Sequence, residues 1–345
     1  MIRVLLAAVC LTLFASNLQA GGLDNLKAAK AAAEQGKADE AINQFTQALA
    51  AGDLSPADQF AAHKGRGSEY TSRSLIADAF ERLDQARGLR SDAIAEFTAA
   101  LKFKTDDADL YAARAQVYDL NGQYDPAIAD FDAAFKLNNS PVTLVQRAGS
   151  LIAKSDYDRA VADYTAALVM VPKDATDTKD AGLDAIDIYT QRGYTQFIAA
   201  RYAAAAADIE KALTLGAAAR AGDVLWLPYQ SAWLHIARAR AGQNDAEELA
   251  RNAGKIDLKQ WPGTLVAYFL GKATLDQLTP PSSHGTMGHA RECNLAFFSG
   301  EQSLVKNDGA EAARQLITLI RTGTADALTL LPTELVFRRS CGCNF

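Results

Sequence analysis

One arrangement of apolar and polar positions recurs along the chain. Residues 127–135 read AIADFDAAF, and the same nine-residue pattern returns as AINQFTQAL at 41–49, AIAEFTAAL at 93–101, AVADYTAAL at 160–168 and AAADIEKAL at 205–213. Ala127, Phe131 and Ala134 stand at i, i+4 and i+7, which places them on one face of an α-helix. The small residues at the two ends let a neighbouring helix come close, and the aromatic between them fills the remaining space. Asp125 is expected to cap this helix, with Pro126 in the first turn, where its missing N–H is not needed. Twelve residues before the first alanine stands another small residue: Ala115, Ala148 and Gly193 precede Ala127, Ala160 and Ala205. Apolar side chains flank it at helical spacing, Tyr111 and Tyr118 in one copy, Leu144 and Leu151 in the next. A second helix is therefore predicted upstream, antiparallel to the first. Such a pair cannot bury its apolar face alone but can do so stacked on its neighbours. The steps between copies are 52, 34, 33 and 45 residues, and two consecutive steps near 34 mark a helix–turn–helix repeat. The predicted fold class is all-α, an α-solenoid of antiparallel helix pairs.

The irregular steps have sources in the sequence. From Gly67 to Ala93 is 26 residues instead of twelve, so an insertion lies within 73–89. Its pattern (LIADAFERLDQA) is helical, and it either lengthens both helices of its pair or protrudes. Residues 173–184 are polar and aperiodic, and read as a loop that accounts for the 45-residue step. Helices are expected to resume at 185–199 and 202–215. Beyond Gly222 the repeat blurs: 224–241 and 245–254 form a helix pair around the Gly242-Gln243-Asn244 turn, and Pro228 requires a late helix start or a kink. Trp261-Pro262 breaks the chain, 279–289 is loop-like, and a last pair keeps the twelve-residue spacing at Gly300 and Ala312, followed by Leu316 and Leu319. The organisation read from this is a leader at 1–20, a regular solenoid at 21–215, a divergent helical region at 216–322 and an irregular tail at 323–345.

The small residues at repeat positions 8, 20 and 27, the aromatic at 24 and Pro172 at 32 resemble the tetratricopeptide repeat (TPR), best over residues 108–172. The resemblance implies a right-handed superhelix that binds proteins or peptides without catalysis. In that family positions 2, 5, 9, 12 and 13 of each first helix line a concave groove. Carried over, this places Gln116, Asp119, Val145, Ile152, Asp187, Tyr194 and Phe197 on a partner-binding surface, apolar with a few acids. The Lys/Asn set that clamps a peptide carboxylate is missing, so the expected partner is an extended or helical segment with apolar anchors and some basic residues. The C-terminal order of helix pair, Trp-Pro break, loop and CNLAFFSGEQSL loosely resembles bacterial envelope TPR proteins of the NlpI-like group. That likeness implies envelope or peptidoglycan-remodelling partners.

Composition adds little to the fold but narrows the partners. The chain has 345 residues, 22% of them charged, a net charge of −6 and no basic block, which argues against nucleic acid. Arg3, the apolar run Val4–Ala15 and the segment Ser16–Ala20 before Gly21-Gly22 read as a secretory signal cut after Ala20, giving a periplasmic or secreted protein with no membrane span after cleavage. The alternative is an uncleaved anchor. Cys10 sits inside the apolar run after Val9, which does not fit a lipid-attachment site. Cys293, Cys341 and Cys343 remain; Cys293 pairs with one of the other two, or all three stay unpaired.

The chemistry-bearing candidates are sparse. His284, His289 and Cys293 have ligand-like spacing, but no fourth ligand or orienting carboxylate accompanies them, so no metal, cofactor or catalytic residue is assigned. His63 and His235 stand alone on helical patterns. Two other readings compete with the scaffold: a metal- or thiol-dependent enzyme using this cluster, and a structural subunit of an envelope complex. One charge pattern follows the repeat. Arg114, Arg147 and Arg192 precede the small residue of their first helices, and Asp130, Asp163 and Asp208 occupy the facing level of the second; Arg66 and Glu96 do the same in the interrupted copy. A ladder of structural ion pairs across each hairpin is expected.

Overall fold

A computed structural model of the chain describes residues 21–171, 183–220, 223–278 and 286–322, without the side chains of 218, 286–293 and 316–322. The signal segment, the loop at 173–182, His284, Cys341 and Cys343 lie outside the described residues, as do the side chains of His289 and Cys293. Among the described residues every regular element is a helix, and the chain divides into two compact units, one ending at Gln123 and the other beginning at Tyr124.

The first unit holds α1 (Gly22–Glu34), α2 (Ala38–Ala50), α3 (Pro56–Ala79), α4 (Leu83–Leu101) and α5 (Ala108–Leu120). Ser55 caps α3 by accepting from Asp58 N at 3.2 Å, with Pro56 in the first turn. The insertion is absorbed by lengthening both partners: α3 runs 24 residues and α4 19, joined by a tight turn with Glu81 at φ 56°. The Phe45 ring lies on Gly65 and the Phe97 ring on Gly67, where an added Cβ would stand 2.3 and 2.7 Å from the ring atoms. This close approach is what the small positions of the repeat provide.

The second unit begins with α6 (Tyr124–Leu137), α7 (Pro141–Ala153), α8 (Tyr157–Met170), α9 (Ala185–Ile198) and α10 (Tyr202–Ala219). Asp125 is not the cap expected of it: α6 starts one residue earlier, and Asp125 sits in its first turn, paired with Lys154. Asp184 caps α9, accepting from Asp187 N at 2.8 Å. The unit continues with α11 (Trp226–Arg240), α12 (Ala246–Ala253), α13 (Gly263–Phe269), α14 (Leu275–Leu278), α15 (Thr286–Val305) and α16 (Gly309–Thr322). Pro228 falls in the first turn of α11, so the late start, not a kink, accommodates it.

Phe45, Phe97, Phe131, Tyr164 and Ile209 occupy the middle of the five recurring nonamers, and each is 3% exposed or less. The alanines flanking them at both ends are equally buried. Burying each such side chain contributes roughly 1.5–3 kcal/mol relative to exposure, repeated along the stack. A different core closes the second unit, where Tyr194, Phe197, Trp233, Phe297 and Phe298 gather from α9, α11 and α15. No helix among the described residues is long and apolar enough to cross a membrane.

Candidate functional site

The recurring arginines build a ladder with two arms. Arg147 forks onto Asp163, with Nε donating to Oδ2 at 2.8 Å and Nη2 to Oδ1 at 2.6 Å, while Nη1 donates to Asp132. Arg192 repeats this: Nε and Nη2 donate to Asp208 at 2.8 and 2.6 Å, and Nη1 donates to Thr165 Oγ1 at 2.9 Å. Gln196 adds a donor to Asp208 Oδ2 at 2.6 Å. In the first unit Arg66 donates to Glu96 Oε1 at 2.7 Å and to Thr46 Oγ1 at 2.9 Å, and Arg114 donates to Thr98 Oγ1 at 3.0 Å. Asp130 is buried on α6, and its pairing with Arg114 would fall across the division between the units.

The first arm reaches the acid of the arginine's own hairpin. The second reaches the sixth residue of the preceding nonamer: Thr46, Thr98, Asp132 and Thr165. Only the first arm was expected from the sequence. The next nonamer has Glu210 at the same place, and Arg238 of α11 donates to it at 3.1 Å and pairs with Glu248 of α12. Arg238 is thus a further rung inside the divergent region, and the recurrence of Thr or an acid at that nonamer position was its signal. The bonds from Asp163 raise the Arg147 guanidinium further above its ordinary range against the opposing effect of burial, and Asp208 does the same for Arg192. These cations stay charged and are saturated with partners, which fits a structural role.

Glu96 adds a pH-dependent element. Burial works to raise its carboxyl, but the bonds from His63 (Nδ1 to Oε2, 2.8 Å) and Arg66 outweigh it and hold the group below its ordinary 4.5. A depressed carboxyl stabilises the fold above the unfolded-state value and ceases to do so as pH falls through the folded one. Glu96→Gln is therefore expected to cost about 1.5–3 kcal/mol at pH 7. The difference from wild type should shrink below about pH 4. Thermal unfolding of both proteins across that range checks this; a pH-independent difference would show that the charge of Glu96 is not what matters.

The groove positions separate into two groups. On α5, Gln116 is exposed and Asp119 half-buried; on α7, Val145 and Ile152 are half-buried at the edge of the core around Leu144 and Tyr164. On α9 the picture differs from the family pattern. Tyr194 and Phe197 are 8% and 5% exposed, and are core side chains, not an open binding surface. Tyr194 stacks on Trp233 at 4.4 Å between ring centroids and its hydroxyl accepts from Gln230 Nε2 at 2.9 Å; Phe197 meets Trp233 at 5.3 Å and Phe297 at 6.1 Å. Side chains of the chain's own α11 and α15 thus cover these positions of α9. Asp187 is engaged as well, accepting from Arg220 at 3.0 Å beside Asp184, with burial and then the Asp184 charge raising its carboxyl. Among the described residues no three His, Cys, Asp or Glu side chains gather in a metal-binding arrangement.

Comparison with known proteins agrees with this geometry. The tetratricopeptide-repeat family matches residues 108–141. No curated protein matches the chain significantly in sequence. A tetratricopeptide repeat protein from Parabacteroides merdae superposes with a TM-score of 0.53 at 13% identity, covering 88% of this chain and 94% of that one. The C-terminal part of a TPR repeat-containing protein from Cytophaga hutchinsonii gives 0.50 at 12% identity, covering 88% of this chain and 100% of its own. At such identities the likeness is one of fold. Residues 108–141 thus match a tetratricopeptide repeat, and the repeat period and stacked helix pairs give the chain the fold of a tetratricopeptide-repeat solenoid.

Proposed function

We propose that this chain is an exported, non-catalytic scaffold that binds an apolar helical segment of an envelope protein on the inner face of its repeats. The observation that carries the reading is the contrast between α7 and α9. Equivalent inner positions are covered by α11 and α15 at α9, but at α7 Val142, Val145 and Ile152 remain half-exposed. The covering helices illustrate what such a face accepts: an apolar helix side packed against first-helix positions. The leader-like first twenty residues support export, and the loose NlpI-like resemblance of the C-terminal region points to the envelope and to peptidoglycan-remodelling partners.

Cross-linking in intact cells, followed by purification from periplasmic and membrane fractions, tests this with wild type and Val142→Lys/Val145→Lys. Wild type should be recovered from the periplasm with a defined partner. The double variant should lose that partner at least about tenfold while keeping its helical content. Equal recovery of the same partner by both proteins removes α7 as the working surface. Retention of the wild type in the cytoplasm overturns the export reading.

A further inference from the structure

A cleft of about 480 Å³ opens in the second unit where the end of α10 and the start of α11 meet α12 and the 255–263 segment. That volume is within the range of small-molecule sites. Two indoles shape it. Trp226 rests against Gly216, where an added Cβ would lie 2.3 Å from the ring. Trp261 donates its N–H to the Tyr229 hydroxyl at 3.1 Å, with the two rings edge-to-face at 6.4 Å. Each indole is therefore fixed in orientation, and each is only half-buried, leaving ring surface toward the cleft. Position 216 is restricted to glycine by this contact, so the seat of Trp226 is built into α10.

The polar lining is mixed. Asp223, Glu248 and Asp257 supply acids, and Arg220 and Lys255 supply bases. Several are already engaged: Arg220 with Asp184 and Asp187, Glu248 with Arg238, and Asp257 by accepting from Lys259 N at 2.9 Å. The amides of Asn252 and Gln260 have no side-chain hydrogen bond among the described residues and stand at the cleft wall. Charge is close to balanced, so there is no field to select a phosphate or a polycation. The two indoles are the broadest apolar surfaces of the lining, with Leu213, Leu227, Pro228 and Ile256 beside them. A ligand matching flat aromatic surface bordered by amides and carboxylates has a C–H face and a rim of hydroxyls, each able to donate and accept. A pyranose ring has that distribution.

We propose that this cleft binds a short neutral oligosaccharide, with Trp226 and Trp261 as stacking surfaces and Asn252 and Gln260 as hydroxyl partners. The site is separate from the inner face of α7 and stands independently of it.

Saturation-transfer NMR on the full chain tests the assignment with three probes: cellotriose, maltotriose and triacetylchitotriose. At least one should bind saturably with a Kd of about 1 mM or tighter. Trp226→Ala should weaken that binding about tenfold or more. Asn252→Ala/Gln260→Ala, both on the cleft wall and outside the core, should weaken it severalfold with unchanged circular dichroism. That double variant decides the matter should Trp226→Ala lose helix. No saturable response from any of the three sugars at about 20 mM overturns the proposal, because even weak lectin-like affinity would register there. Binding undiminished in the folded amide variant overturns it as well. Tighter binding of an acetylated, amidated Leu-Phe-Leu peptide, lost in the same variants, reassigns the cleft to peptide.

Discussion

Trp233→Ala is expected to destabilise the second unit by about 3–5 kcal/mol, the cost typical of deleting a fully buried large aromatic. The residue is 1% exposed and is the hub of the core shared by α9, α11 and α15. Its ring lies 4.4 Å from Tyr194, 5.0 Å from Phe297, 5.3 Å from Phe197 and 5.6 Å from Phe298, so a cavity there has several rigid walls and little freedom to collapse. The helices it joins are far apart in sequence, and no regular repeat spacing holds them together in its absence. Urea denaturation followed by near-ultraviolet circular dichroism is the readout, because the signal of this aromatic cluster should vanish at lower denaturant than in wild type. A loss below about 1 kcal/mol would mean that the cluster repacks around the vacancy and that Trp233 is not its hub.

Arg192→Ala is expected to cost a similar amount, about 3–5 kcal/mol, for a different reason. The Arg192 side chain is 17% exposed and Asp208 8%, and the pair is closed by two short bonds. Truncating the arginine leaves the Asp208 carboxylate desolvated, with only Gln196 donating to it. Leaving a buried charge uncompensated is the expensive outcome, whereas removing both charges is cheap. The double variant Arg192→Leu/Asp208→Leu should therefore recover most of the loss. A double-mutant cycle on equilibrium unfolding gives the coupling. Additive single effects would show that the rung is an adornment of the surface and not part of the fold.

The repeat was legible because its physical requirement is local. A helix pair of this kind needs two small residues and one large one at fixed spacing, and Ala127, Phe131 and Ala134 state that requirement in nine residues. The pairing of Arg147 with Asp163 and of Arg192 with Asp208 was legible for the same reason, since both members lie in one hairpin. The second arm was not, because Asp132 and Thr165 belong to the preceding repeat and a threonine on a helix surface carries no charge signal. The rung at Arg238 was hidden by the short α12, which brings Glu248 only ten residues away instead of sixteen. Tyr194 and Phe197 show the limit of transferring family positions. They occupy groove positions by count, yet a chain that continues past its regular repeats can supply its own occupant. The aromatic density of α11 and α15, with Trp233, Phe297 and Phe298, was the available hint. The fate of the insertion depended on whether α3 and α4 could stay paired beyond the usual length, which the apolar pattern alone left open.

The two-armed arginine has a consequence for how each stack holds together. In a linear array, stability divides into what each repeat contributes alone and what each boundary contributes. A guanidinium that grips its own hairpin with one edge and the previous hairpin with the other belongs to both quantities at once. Within each unit the repeats are therefore coupled electrostatically as well as by packing, and a repeat that frays releases a hydrogen-bonding partner of its neighbour. The array behaves less like a pile of separate hairpins and more like a zipper whose teeth share a side chain, so that each repeat stays folded with the help of its neighbour and the loss of one withdraws that help from the next.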